Sequence, residues 1–294
     1  EVLAIRDVPT PVPGDEQVLV RIIASAVNSG DVRVRSLAGE GFMKLLMRLM
    51  LGFSKPRKPI LGTVYAGVVE QTGPRVTRFK SGDKVFGMTG FNFGAHASHI
   101  AVKESSFMSL MPQNATFAEA ASLIFGGQTA IYFLQKAGIP QRSHPKILII
   151  GATGSVGTSA VQIARHYGAE VMAVCSSAGQ PLLQQLGVSD MILYDQTDFT
   201  QCRDRFDMVF DAVGKTTKQQ CAYLLKSGGV YKTVGGMEYA SESQEQMDLL
   251  KHLFELGHLK AIIDKSFPID EVVAAQHYVD SGRKKGNVIL EMST

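Results

Sequence analysis

One segment constrains the fold of this chain more than any other. It reads Ile147-Leu-Ile-Ile-Gly-Ala-Thr-Gly-Ser-Val-Gly157. Four consecutive aliphatic residues suit a strand covered on both faces. Val156, Ala160, Ile163, Ala164 and Tyr167 then recur at helical spacing and give the next element one apolar stripe. Between strand and helix, Ala152-x-Gly154-x-x-Gly157 is the Gly/Ala form of the dinucleotide fingerprint. Thr153 completes the loop. Gly154 would let the backbone approach a pyrophosphate, and Gly157 would let the helix pack closely on its strand. The Ser155 and Val156 amides would face the phosphates at the helix N-terminus, where partial positive charge sits. A glycine-rich turn alone is common. The strand–turn–helix–strand setting gives this one its weight.

The surrounding pattern supplies that setting. Strands are expected at 146–150, 170–175, 191–194, 206–212 and 230–234, with helices between them, the signature of an open, mostly parallel sheet. Thr116-Phe-Ala-Glu119 reads as a capping box that opens a helix running to about Ala137, with a break expected near Phe125-Gly-Gly127. The first third is different. Gln17 to Ile23, Gly62 to Val69, Lys84 to Met88 and His96 to Val102 read as short strands joined by glycine-containing turns. Phe42 to Met50 interrupts them with apolar residues at helical spacing, either a helix covering one end of a barrel or a lid. A helix from Asp270 and a strand from Asn287 are expected in the tail.

Composition excludes several classes. The net charge of +3 is spread along the chain, and Lys55-Pro-Arg57-Lys58 and Arg283-Lys-Lys285 are too short for a nucleic-acid surface. Apolar runs such as Ile147 to Ile150 are too short for a membrane span, so no membrane partner is expected. No basic and apolar leader pattern opens the sequence. Cys175, Cys202 and Cys221 are unclustered, which fits a reducing compartment, with the cytoplasm as the expected location.

The cofactor can be narrowed further. An NAD site places an acid about 20 residues after the glycine loop, to bind the ribose 2′-hydroxyl. Here the strand end reads Val174-Cys-Ser-Ser177, with no acid. Ser176 and Ser177 can donate to a 2′-phosphate, so NADP(H) is expected. The alternative is that both serines cap the helix that starts near Ala178.

Together these residues resemble the medium-chain dehydrogenase/reductase superfamily, in its zinc-free quinone oxidoreductase-like branch. The matching segments are Val27-Asn-Ser-Gly-Asp31, Phe79-Lys-Ser-Gly-Asp-Lys-Val85, Glu119-Ala-Ala-Ser-Leu123 with Gly127-Gln-Thr-Ala130, Gly151–Gly157, Phe210-Asp-Ala-Val-Gly214, Leu225-Lys-Ser-Gly-Gly229 and Lys285-Gly-Asn-Val-Ile-Leu290. Residues 42–60 resemble a bacterial subgroup that is also similar to reticulon-interacting reductases. The resemblance implies an α/β fold with a GroES-like β-barrel over 1–115, completed by 262–294, and a Rossmann doubly wound parallel-sheet domain over 116–261. It implies cofactor contacts at Thr129, Ser155, Val156, Ser176, Ser177, Tyr194, Val213, Val234, Gly235 and Asn287, with Ala152, Thr153 and Gly154 in the phosphate loop. It puts Asn28 beside the nicotinamide ribose and substrate, and gives Asp31 the role of a helix cap. Relatives commonly form homodimers, an assembly the resemblance implies, but through a strand in a stretch about 20 residues longer than this chain has between Met237 and Ser243, so that route is open to question here.

Zinc-using relatives carry a cysteine where Asn28 stands, a His-Glu pair where Thr63-Val64 stand, and clustered cysteines near 88–112. Zinc needs converging thiolate, imidazole or carboxylate ligands. No cysteine precedes Cys175, and His96 and His99 fall on opposite faces if they share a strand. No metal is expected. Without a Lewis acid, alkoxide stabilisation is lost, whereas hydride transfer to a quinone or α,β-unsaturated carbonyl needs it less. The expected reaction is therefore NADPH-dependent reduction of a small electrophile. Arg33 would orient a carbonyl, and Tyr65 is better placed in the core. The alternatives are an alcohol/ketone dehydrogenase and a low-turnover NADPH-binding sensor or scaffold.

Overall fold

Branched residues alternate from Gln17 and become buried on both sides towards Val27, so this stretch can be shared by several partners. In the computed structural model, which describes residues 3–36, 48, 49, 52 and 56–292, strand β1 (Gln17–Val27) pairs antiparallel with β2 (Val64–Thr72), β4 (His99–Lys103) and β12 (Asn287–Glu291). Register shifts at Leu19/Val20 and Ile22/Ala24 bend it between these partners. The sheet has seven strands in the order β11-β12-β1-β2-β3-β5, with β4 beside β1; here β3 is Lys84–Met88, β5 Phe107–Leu110 and β11 Ile263–Pro268. Its core gathers Val18, Val20, Ile22, Val85, Met108 and Leu290 around Tyr65. Tyr65 is fully buried, its hydroxyl has no hydrogen-bond partner among the described residues, and burial raises its pKa. It is a packing residue. The expected helix over 42–50 lies outside the described residues, 48 and 49 apart.

The chain divides into two compact units: residues up to 124 with those from 263 onward, and residues 125–262. The second unit is a five-stranded sheet in the order β10-β9-β6-β7-β8, parallel throughout: β6 Lys146–Ile150, β7 Glu170–Cys175, β8 Met191–Leu193, β9 Phe206–Asp211 and β10 Leu225–Thr233. The chain starts at β6, steps outward through β7 and β8, then returns to β9 on the other side. The gap between β6 and β9 is therefore the topological switch point, where ligands of such sheets sit. Leu148, Ile150, Val174, Phe206 and Val209 pack on the helical side chains of Cys221 and Leu224. A mostly antiparallel sheet in one unit and a parallel α/β sheet in the other make up the expected fold class.

Several bounds shift, β10 starting at Leu225 where 230 was expected and β2 running from Val64 to Thr72, and two expectations change in kind. The helix Phe117–Lys136 runs unbroken through Gly126 and Gly127. A Cβ on Gly126 would lie 2.4 Å from the Ser155 carbonyl oxygen, and one on Gly127 2.3 Å from Leu250 Cδ2. These glycines serve close packing, not a break. By length and composition this helix could also cross a membrane, yet it is mostly buried inside the protein, as a core helix is. Second, the strand expected from His96 starts only at His99, because residues 96–98 turn before joining the sheet.

Candidate functional site

The phosphate-loop residues stand at the switch point. Gly151 follows β6 with φ +74°, and a Cβ there would fall 1.9 Å from Val213 Cγ2. A Cβ on Gly157 would meet the Gly151 carbonyl oxygen at 2.2 Å. Neither position can carry a side chain. Gly154 differs: an added Cβ would touch only the Gly151 oxygen, at an unstrained 3.7 Å. No contact among the described residues requires glycine there, and the vacant side-chain space is open, as a cradle for a ligand backbone or phosphate would be. The helix Ser155–His166 begins at Gly154 with no side-chain cap, so its first turn can meet an anion.

The loops after β9 and β10 complete this edge. Asp211, fully buried, accepts from the amides of Val213 (3.0 Å) and Gly214 (2.8 Å) with one oxygen. Its other oxygen accepts from the Thr216 amide (2.7 Å) and hydroxyl (2.8 Å). A Cβ on Gly214 would lie 2.6 Å from Gly235 Cα, so the two loops touch backbone to backbone and set Val213, Val234 and Gly235 side by side. Spacing alone gave Asp211 no role, because its partners follow it in a loop whose shape only the sheet defines. Thr153 packs near Gly179, where a Cβ would meet its Cγ2 at 2.6 Å, linking the phosphate loop to the turn after β7. Thr129 donates its hydroxyl to the Phe125 carbonyl of its own helix (2.7 Å).

At the ribose end the charge environment departs from expectation. Ser176 makes no side-chain cap. Ser177 donates its amide to both Asp195 oxygens (2.9 and 3.1 Å) and its hydroxyl to Oδ1 (3.0 Å). No acid stands with the serines at the carboxyl end of β7, but the turn after β8 delivers one. The parallel register Cys175–Leu193 brings the two strand ends together, and the Tyr194 amide donates to the Cys175 carbonyl (2.9 Å). Tyr194 itself is exposed beside Asp195.

In the first unit, Asn28 caps the helix Ser29–Ser36. Its Oδ1 accepts from the Gly30 (2.8 Å) and Asp31 (3.2 Å) amides, while Asp31 Oδ2 accepts from the Asn28 amide (2.9 Å). This reciprocal pair is a capping box in which Asp31 is the reaching-back partner. Asn28 Nδ2 donates to Thr63 Oγ1 (2.9 Å), so both ends of its amide are engaged. Arg33 is exposed on that helix. Val27 pairs with Val288, which sets Asn28 and buried Asn287 at adjacent strand ends. Burial presses the His96 ring down to about 4, against its contact with the Ala26 carbonyl (3.5 Å), while His99 pairs with Glu70 (3.1 Å). Among the described residues, no group of three or more His, Cys, Asp or Glu could hold a metal ion.

The alcohol dehydrogenase GroES-like domain model matches residues 14–120, and zinc-binding dehydrogenase models match 155–262 and 236–290. The chain is 33% identical over 302 residues to a 2-methylene-furan-3-one reductase of Solanum lycopersicum, covering 97% of this chain and 74% of that protein. It is 30% identical over 296 residues to a chloroplastic NADPH-dependent alkenal/one oxidoreductase of Arabidopsis thaliana, covering 94% and 72%. The solved quinone oxidoreductase of Coxiella burnetii shares the fold, with TM-score 0.83 at 24% identity over 98% of this chain and 94% of that one.

Proposed function

The chain belongs to the medium-chain dehydrogenase/reductase superfamily, in its quinone oxidoreductase-like branch, and from that premise we propose that it is an NADPH-dependent reductase of quinones or α,β-unsaturated carbonyls. The observation that carries this reading is the cradle at Gly154, a glycine that no contact among the described residues requires. Ala152 to Val156 would hold the pyrophosphate, Ser176, Ser177 and Tyr194 the ribose end, and Thr129, Val213, Val234, Gly235 and Asn287 the remainder. NADP(H) supplies the hydride when bound.

The proposal includes no zinc. The residues at the zinc-ligand positions do not fit the ion, because the Asn28 amide and Thr63 hydroxyl are bonded to each other and neither is a thiolate, imidazole or carboxylate. An electron-poor acceptor suits such a site, since the chain supplies orientation and charge in place of a Lewis acid. Arg33, a permanent cation, would orient the acceptor oxygen and offset its developing charge. Asn28, engaged at both ends, acts as a positioning residue that fixes the helix bearing Arg33. Solvent supplies the proton.

A panel of phenanthrenequinone, an enone and a simple ketone, followed by NADPH absorbance, tests the reading. Turnover of the quinone or enone is expected. Turnover of the ketone alone overturns it, and tight NADPH binding without turnover favours a sensor. Stoichiometric zinc, lost together with activity on chelation, overturns the metal-free part. The proposal extends to a cytoplasmic location, supported by three free cysteines, and to a homodimer, supported by β10 at the sheet edge.

A further inference from the structure

Asp195 stands against Ser177, at the corner where the reductase reading puts the cofactor's 2′ substituent. β7 and β8 end level with each other, so Ser177 and Asp195 emerge together at the carboxyl edge of the parallel sheet. That edge is where the adenosine ribose of a dinucleotide lies. The Asp195 carboxylate takes three donations from Ser177, two from the amide and one from the hydroxyl. Gln196 Nε2 donates to the same hydroxyl (2.9 Å). These bonds hold the Asp195 carboxyl below the usual carboxylate range, so it is ionised at neutral pH, and it is exposed to an incoming ligand.

A 2′-phosphate needs donors or cations. Of the donors at this corner, the Ser177 amide and hydroxyl are directed at Asp195 and Gln196 Nε2 at the Ser177 hydroxyl, which leaves a phosphate uncharged donors such as the Ser176 hydroxyl. No lysine or arginine occurs in the sequence from His166 to Cys202, so neither strand end brings a cation. The carboxylate itself repels a phosphate dianion. A 2′-hydroxyl, by contrast, can donate to the free lone pairs of Asp195 and leave the Ser177 bonds in place. The corner therefore accepts the hydroxyl as it stands and the phosphate only after Asp195 turns away.

Resting on the reductase reading for its cofactor class, we propose that Asp195 is a specificity-determining residue that flattens the preference for NADPH, so that the enzyme also uses NADH. The test is isothermal titration of the whole chain with NADPH and with NADH, with no acceptor present. The wild type is expected to bind the two within about tenfold of each other, because a charged hydrogen-bond partner is set against a charge repulsion of similar size. Asp195→Asn, which keeps an acceptor for Ser177 and removes the charge, should shift the ratio towards NADPH by about tenfold. Asp195→Ala should shift it the same way, and its circular dichroism should match the wild type. A wild type that prefers NADPH by about a hundredfold or more, or variants that leave the ratio unmoved, would overturn the proposal. Binding is read without substrate, so failure to reduce any enone or quinone would sink the reductase reading and leave this one standing. Failure of both nucleotides to bind would sink both.

Discussion

Two buried titratable residues, Asp31 and His96, meet around Gly62 and pull stability in opposite directions with pH. Gly62 has φ +88°, and a Cβ on it would lie 2.3 Å from the His96 ring, so only glycine allows this packing. Burial raises the Asp31 carboxyl from 3.8 to about 7, partly countered by the Asn28 and Gly62 amides. The unfolded chain loses that proton near 3.8 while the folded chain keeps it until about 7. The contribution of Asp31 is therefore complete below about pH 4 and is lost as pH rises towards 7. His96 is lowered from 6.5 to about 4, so its contribution is complete above 6.5 and is lost as pH falls towards 4. The two slopes oppose each other across one window. In Asp31→Asn the His96 slope remains alone, and urea midpoints should rise from pH 4 to 6.5 more steeply than in the wild type. His96→Gln should show the reverse. Parallel profiles in all three proteins would refute the account.

At the scale of elements, glycines that look alike in the sequence do different work. Gly126→Ala would push a methyl into the Ser155 carbonyl and separate two helices, an overpacking cost of about 1–3 kcal/mol that should lower the melting temperature. Gly154→Ala should leave melting unchanged, because its Cβ has room, yet weaken NADPH binding by about tenfold or more, since the methyl fills the cradle. Thermal scans and titration separate the two. A Gly154→Ala protein that melts low but binds normally would assign that glycine to packing. Periodicity could read the elements whose burial is one-sided or complete: 84–88, 146–150 and 170–175 emerge with the expected bounds. It could not read the helix Ser29–Ser36, which has no apolar stripe and is held by the Asn28–Asp31 cap, or β11, an edge strand with polar residues on both faces. The site divides in the same way. The phosphate loop is local and legible, whereas Asp195 and Asp211 act through neighbours that strand register brings to them.

The whole chain folds its two ends into one sheet. β12 pairs with β1 from Ala24 opposite Glu291 to Val27 opposite Val288, so the first unit cannot complete its core until the C-terminal tail has arrived. The middle of the chain, residues 125–262, has a sheet and core of its own and no such dependence. Contacts this distant in sequence carry a loop-closure cost that local βα units avoid, so the first unit should also form later. Leu290, on β12, depends on that pairing: it has no solvent-accessible surface, and it joins Val18, Ile22 and Tyr65 in the core of the first unit. Leu290→Ala removes buried methyl groups where strands from both termini enclose the space, at a cost of about 2–5 kcal/mol. Scanning calorimetry should then show one transition moved down and a second, belonging to residues 125–262, left in place. A single transition shifted as a whole would mean that the two cores melt as one cooperative unit. In that case the tail would hold together the nucleotide-binding sheet as well as its own.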